Sequence, residues 1–418
     1  MNAKTSGLFT SYSDVWVVNG VRTAFAEYNG ALGDISPIDL GIKVAREVFR
    51  SSGLPPSDVG AVFAGSVAQA SFDAFVLPRH VGLYSGVPID VPALLVQRVC
   101  GTGFELFVQA GDGIALGRHQ LALCVGAESM TRNPIAAYRH RGGFRMGQVE
   151  FKDFLWEALR DTAPDITMGD TAENLAKRYG ISRQQVDRFA ETSFSRALAA
   201  QKDGFLAGEI VPVATEEFPL ESYKTRGIRL SSKIRVFDTD DHVKPSPYEA
   251  LQKIKPAFGG VQTGGNSSGI VDGAAAALVS SGDYVRARGK APLARLVAAA
   301  TVGVAPEVMG IGPAPAIRLL LERTGLNLSD IDRFEINEAF GAQCLAVELE
   351  LGLDHAKVNV NGGATAIGHP LAATGVRLTT TVARELRRRG LRYGIASACI
   401  GGGQGIALLV ENTQATKQ

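Results

Sequence analysis

Gly53-Leu-Pro-Pro-Ser-Asp-Val-Gly-Ala-Val-Phe63 reads in register with Gly325-Leu-Asn-Leu-Ser-Asp-Ile-Asp-Arg-Phe-Glu335, 272 residues later. The two stretches share Gly, Leu, Ser-Asp and a β-branched residue at matching places. Self-similarity of this kind marks an internal duplication. Working outward, short apolar runs (Val15-Trp-Val-Val18, Ala61-Val-Phe63, Leu121-Ala-Leu-Cys-Val125) alternate with helix-like stretches (Pro37 to Ser51, Phe104 to Leu116). The second half repeats the scheme over Leu293 to Thr301, Ala314 to Thr324, Arg333 to Ile336, His369 to Arg389 and Tyr393 to Ala398. This alternation predicts an α/β fold with a mostly parallel sheet.

Between the halves, from Thr131 to about Pro256, charge is dense and strand signals are few. One amphipathic helix is expected from Ser182 to Asp203, opened by Ser182 as N-cap with Gln185 three residues on. The stretch reads as an insertion packed over the first copy, and Asp238-Thr-Asp-Asp-His-Val243 within it as irregular surface chain. The expected division is 14–130 with 256–292 for the first half, 131–255 for the insertion and 293–418 for the second half.

Composition narrows the function. Lys+Arg 43 against Asp+Glu 42 gives a formal charge of +1, which offers no general attraction for nucleic acid or an anionic membrane. Four Cys without a C-x-x-C pair and six scattered His point away from structural zinc and from a disulfide framework. No metal is expected, and no permanently bound cofactor. The first thirteen residues lack a signal or transit pattern, and apolar runs such as Ala274 to Ser280 fall short of the ~20 residues that span a bilayer; a cytoplasmic location is the expectation.

Chemistry gathers on three Gly-rich turns. Cys100 precedes Gly101-Thr-Gly103 at a strand-to-helix junction, where a helix dipole favours a thiolate. His369 ends Asn361-Gly-Gly-Ala-Thr-Ala-Ile-Gly-His369-Pro, and Cys399 opens Cys399-Ile-Gly-Gly-Gly-Gln-Gly405. Glycines let backbone amides approach a developing negative charge. The repeat offset carries Cys100 to a place beside His369, so both reactive turns occupy equivalent positions in two copies of one unit. Asn337-Glu-Ala-Phe340, after the strand Arg333 to Ile336, reads either as a helix cap or as a site in which Asn337 orients a water. Gly265-Asn-Ser-Ser-Gly269 matches the nucleophile-elbow pattern formally, but no strand leads into Ser267 and a ligand-facing loop is the better reading.

Taken in order, Cys100-Gly-Thr-Gly, Asn337-Glu-Ala-Phe, Asn361-Gly-Gly-Ala-x-Ala-x-Gly-His369-Pro and Cys399-Ile-Gly-Gly-Gly resemble the thiolase family over nearly the whole chain. The resemblance implies duplicated α/β/α/β/α layers, an inserted loop domain that receives coenzyme A as co-substrate, and a homodimer or homotetramer. It implies that Cys100 carries the acyl group, His369 activates it and Cys399 exchanges the α-carbon proton. His369 and a water held by Asn337 would stabilise the enolate oxygen, and the amides of Cys100 and Gly401 the tetrahedral intermediate. Ser268 matches a residue near the pantetheine, and Met168, Ala339 and Phe340 match residues lining the acyl pocket. Thr167 stands where short-chain biosynthetic members carry His, and His140, Phe144, Phe151, Phe154 and Trp156 give the stretch Tyr138 to Pro164 an aromatic character. The expected activity is therefore thiolysis of a longer or functionalised 3-ketoacyl-CoA. The alternatives are synthesis of acetoacetyl-CoA and an acyl-CoA-binding subunit that needs a partner chain; a fatty-acid condensing enzyme would carry His in place of Cys399.

Overall fold

The computed structural model describes residues 6–68 and 74–415. Its principal strands are β1 (Leu8–Thr23), β2 (Ala61–Gly65), β3 (Ala93–Leu95), β4 (Leu121–Glu128), β5 (Val271–Ser281), β6 (Ala294–Gly303), β7 (Arg333–Ile336), β8 (Tyr393–Ile400) and β9 (Gln404–Glu411). The helices that matter below are α1 (Pro37–Ser52), α2 (Thr102–Ala115), α3 (Met168–Tyr179), α4 (Arg183–Lys202), α5 (Pro313–Thr324), α6 (Gly341–Leu351) and α7 (Leu371–Arg389).

The nine strands lie in one sheet in the order β7-β8-β9-β6-β1-β5-β4-β2-β3. Its two halves repeat one pattern, β2-β4-β5-β1 and β7-β8-β9-β6, joined where β1 pairs antiparallel with β6. Helices α2 and α7 fall at equivalent places, as do β4 and β8, so the duplication legible in the sequence is structural. The sheet is mixed, not mostly parallel. Only β2 with its neighbours β3 and β4, and β7 with β8, run parallel along this order; the remaining pairs are antiparallel. The tight link between β8 and β9 requires one of these antiparallel pairs, because so short a connection can join only antiparallel neighbours.

Strand alternation builds the layers. In β4, Ala122 and Cys124 face the central helices with Phe104, Phe107, Val376 and Val382, while Leu121, Leu123 and Val125 face α1 with Ile38, Ile42 and Val48. On the far side, Ile395, Ala407 and Leu409 face α5 and α6. The result is five layers, in which the two halves of the one sheet alternate with helices: helix, half-sheet, helix, half-sheet, helix. Buried on nearly all sides, α7 satisfies two of its threonines internally: Thr379 and Thr380 donate to the carbonyls of Gly375 and Val376 at 2.7 and 2.9 Å.

Residues 129–270 connect β4 to β5 and include the stretch expected to be an insertion. Ser182 caps α4 and forms a reciprocal capping box with Gln185, as expected. The insertion straddles both copies, however. Leu175, Val186 and Phe189 of α3 and α4 bury against Ala342 and Val347 of α6 in the second half, whereas Val211, Phe218 and Phe237 join the core of the first. Asp238 to Val243 is not merely surface chain: Asp240 is buried and accepts two hydrogen bonds from Arg22, at 2.7 and 2.8 Å. No helix among the described residues is long and apolar enough to cross a membrane.

Candidate active site

Cys100 and His369 share the wall of a cavity of about 350 Å3, walled almost entirely by apolar groups. Each arrives at the N-terminal end of a central helix, Cys100 just before α2 and His369 just before α7. The helices nearly touch there. A Cβ built on Gly103 would lie 2.7 Å from the Ala372 carbonyl oxygen, and one on Gly375 would collide with the Phe104 nitrogen. Only glycine fits at either place, and the two positions are equivalent in the repeat.

Cys100 is 8% exposed and Val99 before it holds a positive φ of 45°. Burial pushes its thiol up to about 11, and the N–H groups of Gly401 and of Cys100 itself pull it partly back. The thiolate anticipated from the helix dipole is therefore not the resting form: desolvation outweighs the dipole. The same two amides sit at the sulfur, where an oxyanion would form.

His369, 5% exposed, is lowered to about 3 by burial and, secondarily, by the Arg377 charge, so it is a neutral imidazole. Its backbone N–H donates to the Gly269 carbonyl at 3.0 Å. Nδ1 lies 2.6 Å from Thr374 Oγ1, and Nε2 lies 3.3 Å from Asn337 Nδ2. Asn337 is fully buried and does not cap a helix; α6 begins after Phe340. Its neighbour Glu338 holds the His369 loop instead, accepting from Ser193 Oγ at 2.7 Å, Asn359 Nδ2 at 2.9 Å and the Thr365 N–H at 3.0 Å. Glu128, from the first half, accepts the Ala372 N–H at 3.1 Å.

Cys399 is 0% exposed, in a cluster with Met309, Ala339, Met168 and Phe340 behind the cavity. Burial, with the Cys100 sulfur as a lesser cause, holds its thiol far above the ordinary range. Met168, Ala339, Phe340 and Ser268 line the 350 Å3 cavity; Asn337, Cys399 and Gly401 do not. Gly401 instead borders a second cavity of about 250 Å3 that also reaches Cys100. The Ser267–Ser268 loop is fixed by a bridge from Ser267 to Phe340 and by the Ser268 N–H donating to Ala339 at 3.0 Å. It lines the cavity as a ligand-facing loop should.

Of the aromatic stretch, only Trp156 reaches this cavity; Phe144 lines a separate groove with Tyr138, and Phe151 is exposed. Thr167 lines the cavity and caps α3 through a box with Asp170. Sequence reasoning missed Thr374 and His242. His242 lines the cavity, with Nδ1 3.0 Å from Glu27. Thr374 could have been found as a hydroxyl in the first turn after His369-Pro370. No group of three or more metal-binding side chains is present among the described residues.

Comparison with known proteins places this geometry. The thiolase N-terminal domain matches residues 15–283 and the thiolase C-terminal domain residues 290–412. The chain is 42% identical to the mitochondrial 3-ketoacyl-CoA thiolase of Bos taurus, covering 96% of this chain and 98% of that one. It is 44% identical to the Beta-ketothiolase BktB of Cupriavidus necator, covering 95% and 99%. A crystal structure of human mitochondrial 3-ketoacyl-CoA thiolase superposes with a TM-score of 0.90 at 41% identity, covering 96% and 99%; a second, in complex with CoA, gives 0.88 at 41% identity, covering 96% and 98%. The cytoplasmic expectation is overturned here, because several of these relatives are mitochondrial by name. A targeting leader is no part of the folded domain, so residues 1–13 do not decide the compartment. On the two matched domains and on identity across nearly its whole length, this chain belongs to the thiolase family.

Proposed function

We propose that the protein is a 3-ketoacyl-CoA thiolase working in the degradative direction, on chains longer than acetoacetyl. One observation carries the reading: a buried thiol and a neutral imidazole face one apolar cavity, with two backbone N–H groups at the sulfur. Cavity walls from Trp156, Leu159 and Phe258 suit an alkyl chain.

The steps follow from these atoms. His369 Nε2 takes the Cys100 proton as the sulfur attacks the 3-keto carbon, and the amides of Cys100 and Gly401 hold the resulting oxyanion. The C2–C3 bond then breaks and its electron pair moves onto C2, as an enolate whose oxygen faces His369 and a water held by Asn337. Cys399 gives its proton to C2, and acetyl-CoA leaves. The incoming coenzyme A thiol returns a proton to Cys399 and attacks the Cys100 thioester; the shortened acyl-CoA departs and Cys100 regains its proton from His369. Ser268 and Met168 lie where the pantetheine arm and acyl group pass, and Ala339 and Phe340 close the acyl side.

The same reading includes the division into halves at 14–130 with 256–292 and at 293–418, with 131–255 as the coenzyme A-binding insertion. It also includes self-association as a homodimer or homotetramer. Ile135, Tyr138, Met146, Val149 and Phe151 are all exposed within one short stretch, a concentration that favours association.

The test is coenzyme A-dependent cleavage of 3-ketoacyl-CoA esters of increasing length. Cys100→Ser should lower the rate by about 10³-fold or more. Equal rates on acetoacetyl-CoA and longer esters would favour the biosynthetic reading, and no cleavage would sink both.

A further inference from the structure

We infer that Thr374 is a positioning residue that fixes the His369 tautomer with its proton on Nδ1, leaving Nε2 bare to act as base. This rests on the reading of His369 as base for Cys100.

A threonine hydroxyl has one hydrogen and two lone pairs, and two acceptors compete for that hydrogen. The Pro370 carbonyl lies 3.3 Å from Oγ1, and His369 Nδ1 lies 2.6 Å away. Thr374 stands four residues after Pro370 on α7, which aims its hydroxyl back along the helix toward that carbonyl. Two proton arrangements follow. In the first, Oγ1–H donates to Pro370, Nδ1–H donates to Oγ1, and Nε2 is an acceptor. In the second, Oγ1–H donates to Nδ1 and the imidazole proton sits on Nε2.

The other end of the ring decides between them. Asn337 Nδ2, a donor, lies 3.3 Å from Nε2. A proton on Nε2 would set two donors against each other in a buried site, whereas a bare Nε2 accepts. The first arrangement gives Thr374 Oγ1, both ring nitrogens and Asn337 Nδ2 complementary partners. It also leaves the basic nitrogen on the side of Asn337, and it stabilises the ring with a hydroxyl in place of a carboxylate. The orienting group of a Ser-His-Asp arrangement is thus replaced here by a neutral acceptor.

Thr374→Val removes the hydroxyl and keeps the shape. If the hydroxyl fixes the tautomer, kcat for ketoester cleavage falls about ten- to a hundredfold, KM changes by less than about twofold, and Thr374→Ser restores most of the lost kcat. If the second arrangement held, losing the hydroxyl would free Nδ1 to take the proton and uncover Nε2. The rate would then hold or rise, which overturns the inference. An equal fall in both variants would mark a packing role and overturn it as well. Both variants are compared with wild type and with Cys100→Ser. A wild type that cleaves no ester, or a Cys100→Ser variant that still cleaves, refutes the underlying reading; an active wild type with an unchanged Thr374→Val refutes only the tautomer assignment.

Discussion

In the second half of the molecule the chain passes from Ile400 to Gln404 through three glycines; in the first, the equivalent step from Glu128 to Val271 takes residues 129–270. The frame is otherwise repeated, with Cys100 and His369 delivered at the N-termini of equivalent central helices. The short turn places the Gly401 amide at the Cys100 sulfur, and Gly402 and Gly403 make it possible with φ of 86° and 87°. The long connection supplies part of the cavity wall, with Met168, His242 and Phe258. Duplication brings two reactive side chains face to face, and unequal closure separates a donor-lined floor from a ligand-receiving wall.

The largest expected contrast between the halves lies in their thiols. Cys100 opens onto two cavities, whereas Cys399 is sealed. Alkylation by iodoacetamide needs the thiolate. With Cys100 raised to about 11, its thiolate fraction grows about tenfold per pH unit from neutrality upward, so the labelling rate should climb about a thousandfold between pH 7 and 10 without a plateau. Because His369 is neutral down to about 3, no inflection should appear near the usual histidine value. Mass mapping should find Cys100 labelled well before Cys399. A plateau near pH 7 would mean that a thiolate–imidazolium pair already exists.

Next comes the contact between the equivalent helices. Gly375→Ala places a methyl group against the Phe104 nitrogen, and Gly103→Ala places one against the backbone of Ala372 and Gly375. Neither neighbour is a flexible side-chain end, so the helices must part. The expected stability loss is about 1–3 kcal/mol, and a shift of about 1 Å between Cys100 and His369 should lower kcat by about 10²-fold. Chemical denaturation and steady-state cleavage measure the two separately. Full activity in either variant would show that the helical approach does not set the site.

What could be read without the fold was local or periodic. The repeat was legible because Gly53 and Gly325 both end helices in the left-handed conformation, before matching Ser-Asp turns. The α4 cap was legible because a capping box is written within four residues. Strand direction was not, since a two-residue period is the same either way. Asp240 looked like turn chemistry because its partner Arg22 lies 218 residues away in sequence. The state of Cys100 escaped for a related reason: its helix position is local, but the desolvation that overrides it comes from Leu371, Met130 and Leu155, three separate segments.

The smallest effects test whether the insertion only covers the site or also holds it. Two serines on one element separate these roles. Ser182→Ala removes the α4 cap and should lower stability by about 1 kcal/mol, with kcat unchanged, because the cap touches only Gln185. Ser193, eleven residues along, bridges the halves of the loop problem: its hydroxyl donates to Glu338 at 2.7 Å and accepts the Gly363 N–H at 3.1 Å. Ser193→Ala leaves that buried N–H unpaired, at about 1–3 kcal/mol, and loosens the loop that ends in His369. Matched denaturation curves and kcat values therefore distinguish the two. If Ser193→Ala loses stability and keeps full kcat, Glu338 holds the His369 loop through Asn359 and Thr365 alone, and the insertion's part in catalysis is confined to the wall it presents to the ligand.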